Sequence, residues 1–401
     1  MRQRDVHLTC LLFLGCAGLP AHAGDAVRLT TEWDLRLRHE QVQDDAFTLD
    51  ADATTLRARL GLRLAAGNGF TALLEGEGIA ATGAYNSGAN GHVTRPAIVD
   101  PRGVELNQAW LGWTGTQGRV ALGRQRLLFD NQRWVGNVGW RQNEQTFDAL
   151  AMDVAPRTDI ALRYAYAARV HRINGDDARD PLARERDLSS HFLNGSWKRG
   201  SQQIAGYGYL HEDRDVSAAS TATWGLRWTG AHPLRAARLA WTLEAARQRD
   251  HADNPQRFSH DYWLVEPALT LRGMTARAGW EHLGGNGSHA LQAPLATLHA
   301  FNGWADKFLA TPAAGLEDRY VAVGGAFGRE RAGARPGWQL AWHDYRADHG
   351  SARYGSEWNA SVSVPLAKGL GVMLKLADYR ADAHASDTRK LWLQLEYKGS
   401  H

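Results

Sequence analysis

The chain has 401 residues, a formal net charge of +3, 16 Trp and only two cysteines. Both cysteines, Cys10 and Cys16, precede a signal-type cleavage site, so a disulfide scaffold, a cysteine nucleophile and a thiolate metal site are excluded for the mature chain. No later run of about 20 apolar residues exists, which excludes a membrane-spanning helix but not a spanning strand.

In chain order, Arg2 and Arg4 precede an apolar run, Leu8 to Leu19, and Ala21-His22-Ala23 fits an A-x-A site. Residues 1–23 therefore read as a secretory signal peptide, and 24–401 as a single domain. Without the leader the net charge is +2, so the placement of charges carries more information than their sum. From about Thr30 onward some 18 segments swap apolar and polar residues at every position. Segment 32–40 sets Trp33, Leu35 and Leu37 against Asp34, Arg36, Arg38 and Glu40. Segment 55–64 sets Leu56, Leu60 and Leu62 against Arg57, Arg59 and Arg63. Segments 69–80, 104–114, 118–127, 145–153, 158–168, 188–198 and 202–213 follow. Two of these are irregular: 104–114 is apolar on both parities, and 118–127 changes parity near Leu127, as at a bulge. Segments 221–229, 238–245, 258–270, 274–284, 318–328, 337–346, 357–364 and 371–377 lead to a last strand with Leu391, Leu393, Leu395 and Tyr397 on one face. Lys398 to His401 trail past that strand.

The connections take turns. Tight ones, such as Gly67-Asn68-Gly69 and Arg199-Gly200-Ser201, alternate with long polar ones at 81–103, 128–144, 169–187 and 284–317. This is the plan of an all-β transmembrane antiparallel β-barrel of the bacterial outer membrane, with short periplasmic turns and long extracellular loops. Eighteen strands leave room for an aqueous channel. The first strand starts within about ten residues of the cleavage site, so no plug domain is expected before the barrel.

Parity places arginines on the lumen side. The expected substrate path comprises Arg36, Arg38, Arg57, Arg59, Arg63, Glu75, Glu77, Arg119, Arg124, Arg163 and Lys375. Guanidinium groups match carboxylates and stay charged at working pH. Two roles remain open for them: a positive track that touches solute, or a network bracing the wall through Asp34, Glu40, Glu244 and Glu281. Two long loops carry amide, guanidinium and indole groups suited to a constriction. One holds Asp130, Asn131, Arg133, Trp140, Arg141 and Asn143, and the other holds Trp304 and Lys307. The alternative for both is a surface cap.

The run Leu122-Gly123-Arg124-Gln125, then Asp130-Asn131, Arg133, Val135-Gly136, Trp140-Arg141-Gln142-Asn143 and Phe147-Asp148, resembles the alginate export family of outer-membrane barrels. So does Pro294-Leu295-Ala296-Thr297-Leu298-His299-Ala300-Phe301-Asn302-Gly303-Trp304-Ala305-Asp306-Lys307-Phe308, with a weaker match at Tyr354-Gly355-Ser356-Glu357-Trp358. The resemblance implies an 18-stranded monomeric barrel with an arginine-rich lumen and, in the best-known member, passage of a polyuronate.

No catalytic role is expected. Seventeen histidines are present, but none stands in a recognisable relation to a nucleophile or in metal-ligand spacing. Asp176-Asp177 and Asp180 read as an acidic loop tip facing cations bound to lipopolysaccharide, and Gly284-Gly285-Asn286-Gly287 as a turn. Neither a metal nor another cofactor is expected. The reading is a passive outer-membrane channel for anionic saccharides. The alternatives are a general diffusion porin and a barrel enzyme acting on lipid or glycan. The expected partners are an anionic oligo- or polysaccharide, outer-membrane lipid, lipopolysaccharide and the barrel-assembly machinery, with no nucleic acid.

Overall fold

The computed structural model describes residues 27–401, and the signal peptide expected over 1–23 lies outside them. The strands are β1 Arg28–Asp44, β2 Ala51–Ala65, β3 Phe70–Ala84, β4 Gly103–Thr114, β5 Gly118–Gln125 and β6 Thr146–Arg157. They continue as β7 Ile160–His171, β8 Glu185–Arg199, β9 Gln202–His211, β10 Thr221–Pro233, β11 Ala237–Asp250 and β12 Ser259–Leu271. The last six are β13 Met274–Leu283, β14 Leu316–Ala326, β15 Gly337–Arg346, β16 Arg353–Ala367, β17 Leu370–Ala381 and β18 Thr388–Ser400. Each pairs antiparallel with its neighbour in sequence. β1 also pairs with β18, from Glu32↔Ser400 to Asp44↔Thr388. The sheet is thereby closed, and closure leaves no edge whose backbone polar groups would meet hydrocarbon.

The alternation of side chains dictates the two faces. Leu56, Leu60 and Leu62 are 48%, 62% and 49% exposed, whereas Arg57 and Arg59 between them are buried. Such an apolar outer band is stable only against lipid. Aromatic pairs mark its two edges: Trp33–Tyr397 and Trp228–Trp241 near the short turns, and Trp263–Trp280 near the long loops. Every connection after an odd-numbered strand lies on the long-loop, extracellular rim; 327–336 is the longest periplasmic turn.

Local departures have local causes. β4 is apolar on both parities because the register shifts between Glu75 and Gly76, opposite Gln108 and Leu106. That bulge frees the buried Asn107 amide to donate to Glu75 Oε1 at 2.7 Å and to Glu144 Oε1 at 2.7 Å. The expected parity change near Leu127 corresponds to the end of β5 at Gln125. At the C-terminus the expectation is corrected. Lys398-Gly399-Ser400 extend β18 instead of trailing, and the His401 and Thr31 backbones exchange two hydrogen bonds (2.8 and 2.9 Å).

The core of the molecule sits inside the barrel. Leu127, Phe129, Trp134 and Val135, after β5, pack with Leu291, Leu295, Ala305 and Phe308, after β13, and with wall residues such as Phe192, Tyr209, Tyr262 and Tyr345. Two long loops thus occupy the lumen.

Candidate functional site

The two occupying loops, 126–145 and 284–315, form one hydrogen-bonded unit. Val135 and Leu295 make an isolated parallel bridge. Gly136 N donates to Leu295 O (2.9 Å) and Thr297 N to Gln132 O (3.0 Å). The Gln145 amide donates to both Gly136 O (2.9 Å) and Leu295 O (3.0 Å). The two sequence runs singled out above, 122–148 and 294–308, meet here.

The arginine ladder holds this unit to the wall. Arg36 Nη1 donates to the carbonyls of Gly139, Trp140 and Arg141 (3.2–3.3 Å). Arg38 Nη2 donates to Trp140 O at 2.7 Å, and Arg59 Nη2 to Gln142 O at 3.0 Å. The same arginines are also tied along the wall: Arg36 to Glu396 (2.8 Å), Arg57 to Asp34 (2.6 Å) and Arg59 to Glu77. Arg38, Arg57 and Arg59 are almost fully buried. All three point inward; Arg38 and Arg59, with Arg36, hold a loop in place, whereas Arg57 pairs only along the wall, with Asp34 and Glu396. A guanidinium with several fixed acceptors suits this task because its donors are preorganised. Glu75 accepts from Arg126, Asn107 and Gln108. Burial pushes the Glu144 carboxyl up, but the Arg59 and Arg126 guanidiniums outweigh it and hold it at about 2.

On the opposite wall Arg133 pairs with Glu281 (2.9 Å) and donates to Asn302 Oδ1 (3.1 Å). Trp304 N and Ala305 N both donate to Glu357 Oε1 (2.5 and 2.8 Å). Near β17 and β18, Asp306 is met by His299 Nδ1 (2.6 Å), Lys390 Nζ (2.9 Å) and Arg141 Nη2 (3.0 Å). Lys375 Nζ donates to His299 Nε2 at 2.7 Å and lies 3.9 Å from the rings of both Trp140 and Trp304. Only one tautomer satisfies both contacts: His299 neutral, with its proton on Nδ1. Burial pulls the His299 imidazole down to about 3, consistent with that form. Burial favours a neutral Asp306, yet His299, Lys390 and Arg141 hold it well below the usual carboxylate range. Lys307 reaches Asp44 at 2.7 Å, Asn143 contacts Glu105, and Asp130 accepts from Asn194 (2.6 Å). Asn131 accepts from Arg133 N within its own turn.

Arg124 is corrected. It shares the outward face of β5 with Leu122 and pairs with Asp148 at 3.0 Å near the extracellular rim. Alternation holds through β5, so Arg119 and Arg124, at opposite parities, cannot both face the lumen.

Open space remains on both sides of the loop unit. Toward the periplasm, Arg63, Arg119, Arg126 and Arg163 line a 270 Å³ cavity with Trp110 and Asp153. A 510 Å³ cavity continues it, sharing Arg119, Phe129, Asp153 and Arg163. Arg63 pairs with Glu32 and Arg163 with Asp153, while Arg119 lies 4.8 Å from the Trp110 ring with no carboxylate within 4 Å among the described residues. Toward the outside, a 540 Å³ cavity is lined by Arg141, Arg172 and His289 together with Phe258, Leu298 and Leu309. The Arg172 guanidinium has no ion partner among the described residues. Sequence reading missed Arg126 and Arg172, which lie just beyond the ends of β5 and β7, where parity no longer assigns a face.

Solved structures share this architecture. Acinetobacter baumannii OccAB4 matches at 13% identity with a TM-score of 0.71, covering 93% of this chain and 98% of that one. Pseudomonas aeruginosa OccK9 (OpdG) matches at 13% and 0.72, with the same coverage. Pseudomonas aeruginosa OpdK, solved with vanillate, matches at 15% and 0.70, covering 93% and 99%. No curated protein matches the sequence. The family model described as alginate export matches residues 27–290, which contain all of β1–β13 and the whole loop anchored by the arginine ladder. The chain belongs to the alginate export family.

Proposed function

We propose that the protein is a passive outer-membrane channel for small anionic saccharides, uronate monomers and short oligomers. The observation that carries this reading is the periplasm-side cavity, where four arginines face one another and a single aspartate. Such a cluster lowers the entry barrier for anions while each site holds a carboxylate weakly enough to release it. Size favours short solutes over a polymer. The outer and periplasmic cavities share no lining residue, and the loop unit lies between them.

A second reading is favoured by the outer cavity. Its lining is mostly apolar around Arg141 and Arg172, as suits an aromatic carboxylate, and the OpdK structure holds vanillate.

Planar-bilayer recording separates these. Anion-preferring current, reduced by digalacturonate and unaffected by vanillate, supports the first reading. Blockade by vanillate alone supports the second. Unselective current indifferent to both solutes would leave a general diffusion pore.

A further inference from the structure

We propose that the extracellular rim carries a binding site for a divalent transition ion, formed by His282 at the end of β13, Glu317 at the start of β14 and Asp348 in the 347–352 loop. One ligand atom from each lies within 4.8 Å of the others. His282 Nδ1 stands 3.7 Å from Asp348 Oδ1 and 4.0 Å from Glu317 Oε1. These separations are too long for hydrogen bonds. They fit atoms sharing one ion at about 2.0–2.2 Å from each.

Three independent features point the same way. His282 Nδ1 is buried and has no hydrogen-bond partner, an arrangement that costs free energy unless something occupies it. Each carboxylate has its far oxygen engaged and its near oxygen turned to the imidazole. Glu317 Oε2 accepts from Arg319 (2.7 Å), and Asp348 Oδ2 accepts from Gly285 N (3.0 Å). The imidazole plane is fixed by Trp263, stacked at 5.2 Å and 8°. Orientation of ligands by neighbours is the usual support of a metal centre.

The donor set selects the ion. One imidazole and two carboxylates suit Zn²⁺ or a similar borderline cation, whereas Ca²⁺ wants six to eight oxygens. The site lies on the outward face: His282 is opposite Trp263 and Glu317 in the sheet, one step above the exposed Trp280. Water completes the coordination from the open side. Because Gly285 lies at the base of the loop that fills the lumen and donates to Asp348, an ion here clamps that base to the wall.

The test uses the untagged mature protein in detergent, stripped with EDTA and titrated calorimetrically with Zn²⁺ and with Ca²⁺. The expected result is one Zn²⁺ per chain, bound at least tenfold more tightly than Ca²⁺, with affinity lost at least tenfold in H282A and in D348N. Zn²⁺ also raises the unfolding temperature of the parent and not of H282A. Heat-modifiable gel mobility checks that each variant is a closed barrel. If H282A fails to assemble, D348N decides, since Asp348 lies outside the strands. Absence of a saturable Zn²⁺ site, equal affinity for Ca²⁺, or undiminished binding in D348N overturns the proposal.

Discussion

Replacing Asp306 by Asn isolates the latch that seats the loop unit. The change preserves shape but removes the one carboxylate that meets His299, Lys390 and Arg141 at 2.6–3.0 Å. The side chain is only 5% exposed, so water cannot replace the lost charge. Arg141 keeps only Glu40, at 3.8 Å, and Lys390 keeps no carboxylate within 4 Å among the described residues. Breaking a buried pair by removing one partner costs about 3–5 kcal/mol. At about 1.4 kcal/mol per decade, the undocked population should rise roughly 10²- to 4 × 10³-fold. The barrel contributes only the Lys390 side chain of β18 to this contact, and no strand-pairing hydrogen bond depends on it. Hydrogen exchange resolved by segment should therefore show faster exchange at 294–308 with little change in the β1–β3 and β16–β18 amides, and bilayer recordings should show larger, noisier openings. Unchanged exchange at 294–308, or uniform loss of protection across the strands, would refute the reasoning.

Further outcomes follow from the same geometry. Reversing Arg119, which has no carboxylate neighbour, should cut the anion-to-cation permeability ratio several-fold while leaving the barrel assembled; reversal potentials in a salt gradient measure it. The loop unit should survive acid. Glu144, held at about 2, and Asp306, also depressed, contribute stability fully present above their ordinary values of 4.5 and 3.8, and lost only as pH falls through their lower folded values. Conductance at pH 4.5 should match that at pH 7, and a step increase between those values would contradict it. Gly303 has φ +85°, and a Cβ there would meet Tyr345 Oη at 2.2 Å and Glu357 Oε2 at 2.3 Å. Gly303→Ala should destabilise the docked loop by about 1–3 kcal/mol, visible as faster exchange at 301–308.

Strands were legible because lipid and water sort side chains with a period of two, and that signal is local. It placed Arg36, Arg57 and Lys375 inward and Leu56 and Leu60 outward without reference to anything distant. What those inward groups touch was not legible. Arg36 could equally have faced solute; its acceptors at Gly139 to Arg141 are a hundred residues away. Arg124 was grouped with Arg119 although the two lie at opposite parities of β5, and a parity change near Leu127, past the end of that strand, comes too late to turn it inward. The His282–Glu317–Asp348 group escaped notice for a related reason. Its members are more than 30 residues apart, and only sheet register and a returning loop bring them together.

The wall arginines on β1 reach in two directions at once: Arg36 grips Glu396 on β18, 360 positions later, and the carbonyls at Gly139–Arg141. Zipping the first strand to the last therefore also fixes the guanidinium donors on which the internal cap is seated. The cap also needs Leu295 and Thr297, so most of the polypeptide must already be threaded into the membrane before its inner surface can settle. Contacts of such long range carry a large loop-closure cost before they form.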